Sequence, residues 1–90
     1  MSRDKAPSRE TGWVLYLIEC EGGRFYTGIT NDLERRFEEH CAGVGARYTR
    51  MYPPVRVVAI REFPDRSSAS KAEASVKKLP RPEKPAYFAR

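Results

Sequence analysis

The chain is short of the groups that build metal cages, disulfide scaffolds or membrane anchors. Its ninety residues hold one histidine and two cysteines. Cys20 and Cys41 lack the close spacing and histidine partners of a zinc site or redox motif, so reduced structural thiols are expected. No apolar run approaches the roughly 18 residues that a bilayer crossing needs, and the polar stretch 1–12 has no apolar core of a secretion signal. The expected location is therefore the cytoplasm, with no membrane partner. There is no internal repeat and no dividing linker. One compact domain is expected, near the lower size limit at which a single hydrophobic core suffices without staples.

Positive charge is plentiful. Seventeen Lys and Arg stand against twelve Asp and Glu, for a net charge of +5, and twelve of the seventeen are Arg. The planar guanidinium fork matches phosphate oxygens in a way lysine cannot, so the balance suits a polyanionic partner; it equally suits a solvated basic surface.

Residues 1–11 carry Ser, Pro and mixed charge with no hydrophobic period and are expected to be a disordered leader; 12–80 form the domain and 81–90 a proline-rich, partly ordered tail. "WVLYLIEC" is apolar on both alternating faces, as in a strand covered on two sides. "RFYTGI" reads as its antiparallel partner across the turn Glu21-Gly22-Gly23. A three-residue loop sets Ile18 opposite Tyr26 and puts Tyr16 and Tyr26 on one side as diagonal neighbours, whereas a two-residue loop separates them. The three-residue form is preferred, with a glycine in the left-handed position.

Asn31 followed by Glu34 has the form of a capping box. Leu33, Phe37 and Cys41 then recur every four residues, which predicts a helix ending at Gly43 and Gly45. "VRVVAIREF", Val55 to Phe63, is a β-branched third strand, and Asp65 or Ser67 caps a last helix running to Leu79. The expected fold class is an α/β (α+β) sandwich: a three-stranded sheet with helices packed on it.

At about 100° per residue, Arg36 and His40 border the apolar face of the first helix while Arg35 points to water. Arg36 is then either a site residue or a stem laid along the apolar edge and paired with an acid. In the last helix Glu73 lies on the side of Ala69, Ala72 and Val76. There it either meets a cation in a cleft or pairs with Lys77 one turn on. Arg47, Tyr48 and Arg50, followed by Met51-Tyr52, suit phosphate contact with base stacking, or an exposed loop.

"VLY" at Val14 to Tyr16, "YTG" at Tyr26 to Gly28, Arg36 ten residues past the second tyrosine, His40 four further on and Glu73 in a later helix together resemble the GIY-YIG nuclease family. "GARYTR", "FPDRS" and "KAE…KKL" are similar to its small stand-alone bacterial branch. The resemblance covers Trp13 to about Leu79. It implies a three-stranded antiparallel sheet flanked by helices in the order β-β-α-(short α)-β-α. It also implies an endonuclease that hydrolyses nucleic-acid phosphodiesters with one divalent ion, Mg²⁺ or Mn²⁺. The expected partner is nucleic acid, DNA ahead of RNA, and the expected state a monomer; a binding module that cuts poorly or not at all is the alternative.

Carried across, Tyr16 and Tyr26 match the motif tyrosines, Arg36 the catalytic arginine and Glu73 the metal carboxylate. A phenol can take a proton from the attacking water if positive charge lowers its pKa from about 10 toward neutrality; Tyr16 is the expected base, with Tyr26 interchangeable. His40 either holds a phosphate or leaving group or is a satisfied structural histidine. Three departures stand out. Ile29-Thr30-Asn31 lacks a lysine that some members carry, no asparagine follows Glu73, and Met51-Tyr52 replaces a more basic pair.

Overall fold

The computed structural model describes residues 12–89, and the expected leader over 1–11 lies outside them. The doubly apolar stretch forms the central strand β1 (Trp13–Cys20). It lies between β2 (Arg24–Thr30) and β3 (Pro54–Phe63), and both pairings are antiparallel. A central strand loses water on both faces, which is why Val14 to Ile18 read as a continuous apolar run.

The hairpin has the three-residue loop. Cys20 faces Arg24, Ile18 faces Tyr26 and Tyr16 faces Gly28, with Gly22 at φ 81° and Gly23 at φ 73° in the left-handed region that a side chain would strain. This register sets the whole site, because a slip of one residue would send Tyr26 to the other face.

Helix α1 (Leu33–Cys41) starts one residue later than the Asn31 capping box predicts. Asp32 is the cap, its side chain accepting from the Arg35 amide at 3.2 Å, while the Asp32 amide donates to Thr30 Oγ1 at 3.0 Å. Asn and Asp cap equally well, and the Thr30 contact fixes which of the two adjacent residues takes the position. Gly43, at φ 80°, closes the helix: its amide donates to the His40 carbonyl and the Val44 amide to that of Glu39, the paired bonds of a Schellman ending.

A single helical turn, α2 (Arg47–Met51), leads into β3, and α3 (Arg66–Lys77) follows with Asp65 as its cap, accepting from Ser68 N at 2.8 Å. The helix stops two residues short of Leu79. Pro80 disfavours helical backbone at the residue before it, so the last turn tightens into the Lys78 to Ser75 and Leu79 to Val76 bonds.

The two faces of β1 serve different layers. On one, Leu15 packs with Ala72 and Val76 of α3. On the other, Tyr16, Ile18 and Cys20 pack with Leu33 and Phe37 of α1 and with Tyr26, Tyr52 and Val57.

The described part of the expected tail forms a 3₁₀ turn (Arg81–Glu83) and helix α4 (Lys84–Ala89), bringing Tyr87 and Phe88 onto the Leu15 cluster. Arg81 Nη1 donates to the Gly23 carbonyl at 2.7 Å, and Lys84 Nζ to that of Val76 at 2.9 Å. Both cysteines are free thiols, Cys20 buried and Cys41 exposed. No helix among the described residues is long and apolar enough to cross a membrane.

Candidate active site

Tyr16 leaves β1 opposite Gly28 of β2, and its phenol lies across that glycine so closely that a Cβ there would collide with the hydroxyl. Gly28 is thus needed for a bulky side chain to cross the β2 backbone toward the sheet edge. Tyr26, diagonal to Tyr16 by the hairpin register, sits with its ring centroid 6.3 Å away. His40, from the last turn of α1, completes a triangle at 6.0 Å from Tyr16 and 5.2 Å from Tyr26. The two tyrosines share one side of the sheet, as the three-residue loop requires.

The hydrogens can be placed by counting donors. Thr49 Oγ1 lies 2.9 Å from the Ala46 carbonyl, which can only accept, so the single hydroxyl proton goes there. At 2.8 Å from His40 Nδ1, the same oxygen must then accept, and the proton sits on Nδ1. This leaves Nε2 as an acceptor, with the Tyr16 hydroxyl donating to it at 3.0 Å. Burial and the Arg36 charge push the His40 pKa below its ordinary value, against Glu39, so the ring is neutral, as this order needs. His40 is 1% exposed, with one ring nitrogen engaged by Thr49 and the other by Tyr16.

Arg36 is half-buried on the Tyr16 side of α1. Its Nη1 donates to Glu39 Oε1 at 2.9 Å, so the pairing with a nearby acid does form. Burial works against its charge, but bonds to Glu39 and to the Tyr16 phenol hold its pKa above the ordinary value. Arg36 therefore belongs to the site as well as to the helix edge, while Arg35 is exposed, as the helix geometry predicts.

Glu73 comes from the opposite layer. Its carboxylate is half-buried and paired with Lys77 Nζ at 3.2 Å, yet it also acts on the Tyr16 phenol. Of the two sequence readings of Glu73, the pairing with Lys77 one turn on does form.

The phenol itself corrects one expectation. Burial first, then Tyr26 and Glu73, push the Tyr16 pKa up to about 12, although Arg36 pulls it down. A guanidinium already shared with Glu39 does not offset the loss of water around a ring only 1% exposed, so Tyr16 carries its proton at neutral pH.

Tyr48 of α2 continues the aromatic run. It stacks on Tyr26 at 5.9 Å with a 26° interplanar angle and meets Tyr52 at 5.1 Å, and the Arg24 guanidinium lies 4.0 Å over the Tyr52 ring. Arg47 and Arg50 are exposed on the same turn. Glu39, Gly45, Thr49 and Arg24 are absent from the sequence-based site. One turn of helix carries no periodicity that could have marked Thr49 as its one buried residue.

A model of the GIY-YIG catalytic domain matches residues 12–86. The chain is 57% identical over 76 residues to a UPF0213 protein of Xanthomonas axonopodis pv. citri, covering 84% of this chain and 74% of the relative. It is 49% identical over 83 residues to one from Cupriavidus pinatubonensis, covering 92% of each. Among solved structures, a solution NMR structure of a protein from E. faecalis matches with TM-score 0.61 at 41% identity. The UPF0213 protein from Bacillus halodurans matches with TM-score 0.54 at 40% identity; both comparisons cover 87% of this chain and 83% of the other.

Proposed function

The chain belongs to the GIY-YIG family of nucleases, among small stand-alone UPF0213 proteins, and from that membership we propose that it is a metal-dependent endonuclease acting on DNA ahead of RNA. The observation that carries this reading is that the one phenol of Tyr16 is bonded by Arg36 and feels the charge of Glu73 from the opposite layer. A guanidinium bonded to a buried hydroxyl and a carboxylate whose charge acts on it suit a phosphodiester: the first matches the phosphate and the second matches a hydrated cation.

The donor set fits such an ion. No three His, Cys, Asp or Glu side chains gather among the described residues, and Glu73 is the carboxylate that would hold the cation. Mg²⁺ and Mn²⁺, which keep waters and accept one carboxylate plus phosphate oxygens, suit this better than zinc. When bound, the ion supplies neutralisation of charge on the scissile phosphate.

The protein's own groups supply the rest. Arg36 forks onto the phosphate and stabilises charge that builds in the transition state. As water attacks phosphorus, Tyr16 takes its proton while passing its own along the hydrogen bond to His40 Nε2, and His40 then releases that proton to solvent, which protonates the alkoxide leaving group. Tyr26 orients the water or phosphate from the same face. Tyr48, continuing the stack outward, offers a ring to a neighbouring base, and Arg47 and Arg50 offer charge to the backbone.

The Glu73 to Lys77 pair favours one second reading, a binding module of the same fold whose carboxylate stays neutralised. A cleavage panel separates them: flapped, branched, duplex and single-stranded DNA and RNA with Mg²⁺ or Mn²⁺, beside Glu73→Ala and Arg36→Ala. Cutting lost in both variants supports the nuclease. Salt-sensitive binding without any cutting supports the module.

A further inference from the structure

Thr49 has no part in the phosphate and ion contacts proposed above, yet it closes a hydrogen-bonded row that ends on the Tyr16 hydroxyl. The row has a direction. The Ala46 carbonyl takes the Thr49 proton, Thr49 takes the His40 Nδ1 proton, and His40 Nε2 takes the Tyr16 proton. If the Thr49 hydroxyl were missing, the Nδ1 proton would lose its acceptor inside a buried site. The ring could then move that proton to Nε2, where it would oppose the Tyr16 hydroxyl, donor against donor.

The segment that carries Thr49 is shaped around the imidazole. Gly45 lies so near the ring that a Cβ there would collide with Nδ1 and crowd the His40 backbone. Ala46, next in the chain, caps α2 without any side-chain bond, and its carbonyl is the acceptor that orients the Thr49 hydroxyl. Thr49 is the one buried residue of this helix and is 1% exposed, whereas its neighbours Tyr48 and Arg50 face outward. One turn thus presents arginine and tyrosine to the outside and a hydroxyl to the histidine.

Resting on the nuclease reading above, we propose that Thr49 is a positioning residue. It holds His40 in the Nδ1–H tautomer, so that Nε2 is open to receive the Tyr16 proton, and Gly45 supplies the room that this needs. The role passes through His40 and requires no contact between Thr49 and substrate.

His40 is the only histidine of the chain, so ¹⁵N-histidine labelling reports on one ring in the untagged protein. In the wild type, a pyrrole-type Nδ1 and a pyridine-type Nε2 are expected, and the reverse pattern would overturn the proposal without any recourse to activity. Thr49→Val keeps the shape and removes the hydroxyl. It should mix or reverse the two signals, whereas Thr49→Ser should restore the wild-type pattern. On a substrate that the wild type cuts, kcat should fall about tenfold or more in Thr49→Val with KM little changed, as when a catalytic histidine is left in the wrong tautomer, and Thr49→Ser should recover most of it. A folded Thr49→Val protein with the wild-type tautomer would refute the role. If the valine variant does not fold, the wild-type spectrum still decides. A wild type that cuts nothing while showing the expected tautomer would sink the nuclease reading and leave the positioning of His40 standing.

Discussion

Leu15 and Tyr16 are adjacent in the chain and both almost fully buried, yet they belong to two different kinds of interior. Leu15 clusters with Ala72 and Val76, and Phe63, Tyr87 and Phe88 pack against that cluster, a layer held by shape and the removal of apolar surface from water. Tyr16 meets His40, Tyr26 and Arg36, where a polar row is satisfied bond by bond and three rings touch at their edges. The first face resists change because cavities are costly; the second because each buried donor and acceptor in the row depends on its neighbour. A strand that alternates faces lets a small domain keep both without a second sheet.

Substitutions can break this division, and the largest effect should come from the group that reaches across it. Glu73→Ala should lower cleavage on the order of a thousandfold, measured at saturating Mg²⁺, with the melting temperature almost unmoved because the lost ion pair is partly exposed. Next comes the neighbouring pair on β1. Leu15→Ala should cost about 3 kcal/mol in denaturant unfolding while turnover per folded molecule is kept. Tyr16→Phe should do the reverse, losing about a hundredfold or more in turnover but only about 1 kcal/mol of stability, from the His40 nitrogen left without its donor. Similar behaviour of the two variants would mean that the faces are not separate.

The pH dependence sharpens the same contrast. Because the folded Tyr16 pKa of about 12 lies above the ordinary 10, the folded state keeps a proton that the unfolded state has already released. This contribution is intact below pH 10 and is lost as pH rises toward 12. By linkage the wild type should lose about 3 kcal/mol relative to Tyr16→Phe across that window, read from unfolding curves of the two proteins side by side.

Smaller effects belong to the rim of the polar face. Tyr48→Ala should weaken nucleic-acid binding by about 1–2 kcal/mol, seen in fluorescence anisotropy, through the lost stacking surface. Arg50→Ala should cost less than about 1 kcal/mol and flatten the salt dependence of binding by roughly one unit of slope.

Much of the framework was legible in the residues. The two-sided apolar run marked a covered central strand, and Glu21-Gly22-Gly23 favoured a three-residue loop over a two-residue one, and with it the shared side of Tyr16 and Tyr26 that the register bears out. The helix geometry separated Arg36 and His40 from Arg35. The helix cap was read one residue early, since Asn31 and Asp32 are chemically alike at that position and only the Thr30 contact distinguishes them. The described tail helix was hidden by its prolines, although one turn started at Pro80 is enough to swing Tyr87 and Phe88 onto the core.

Local sequence determined the three strands, the two longer helices and the identity of the groups that line up along each face, because these depend on periods of two and 3.6 residues and on turn chemistry. Only the tertiary structure decided that Glu73, from a helix on the far layer, acts on Tyr16, that Thr49 stands behind His40, and that the phenol's pKa rises instead of falling. Those outcomes depend on burial and on distances between residues far apart in the chain, quantities that no short window of sequence contains.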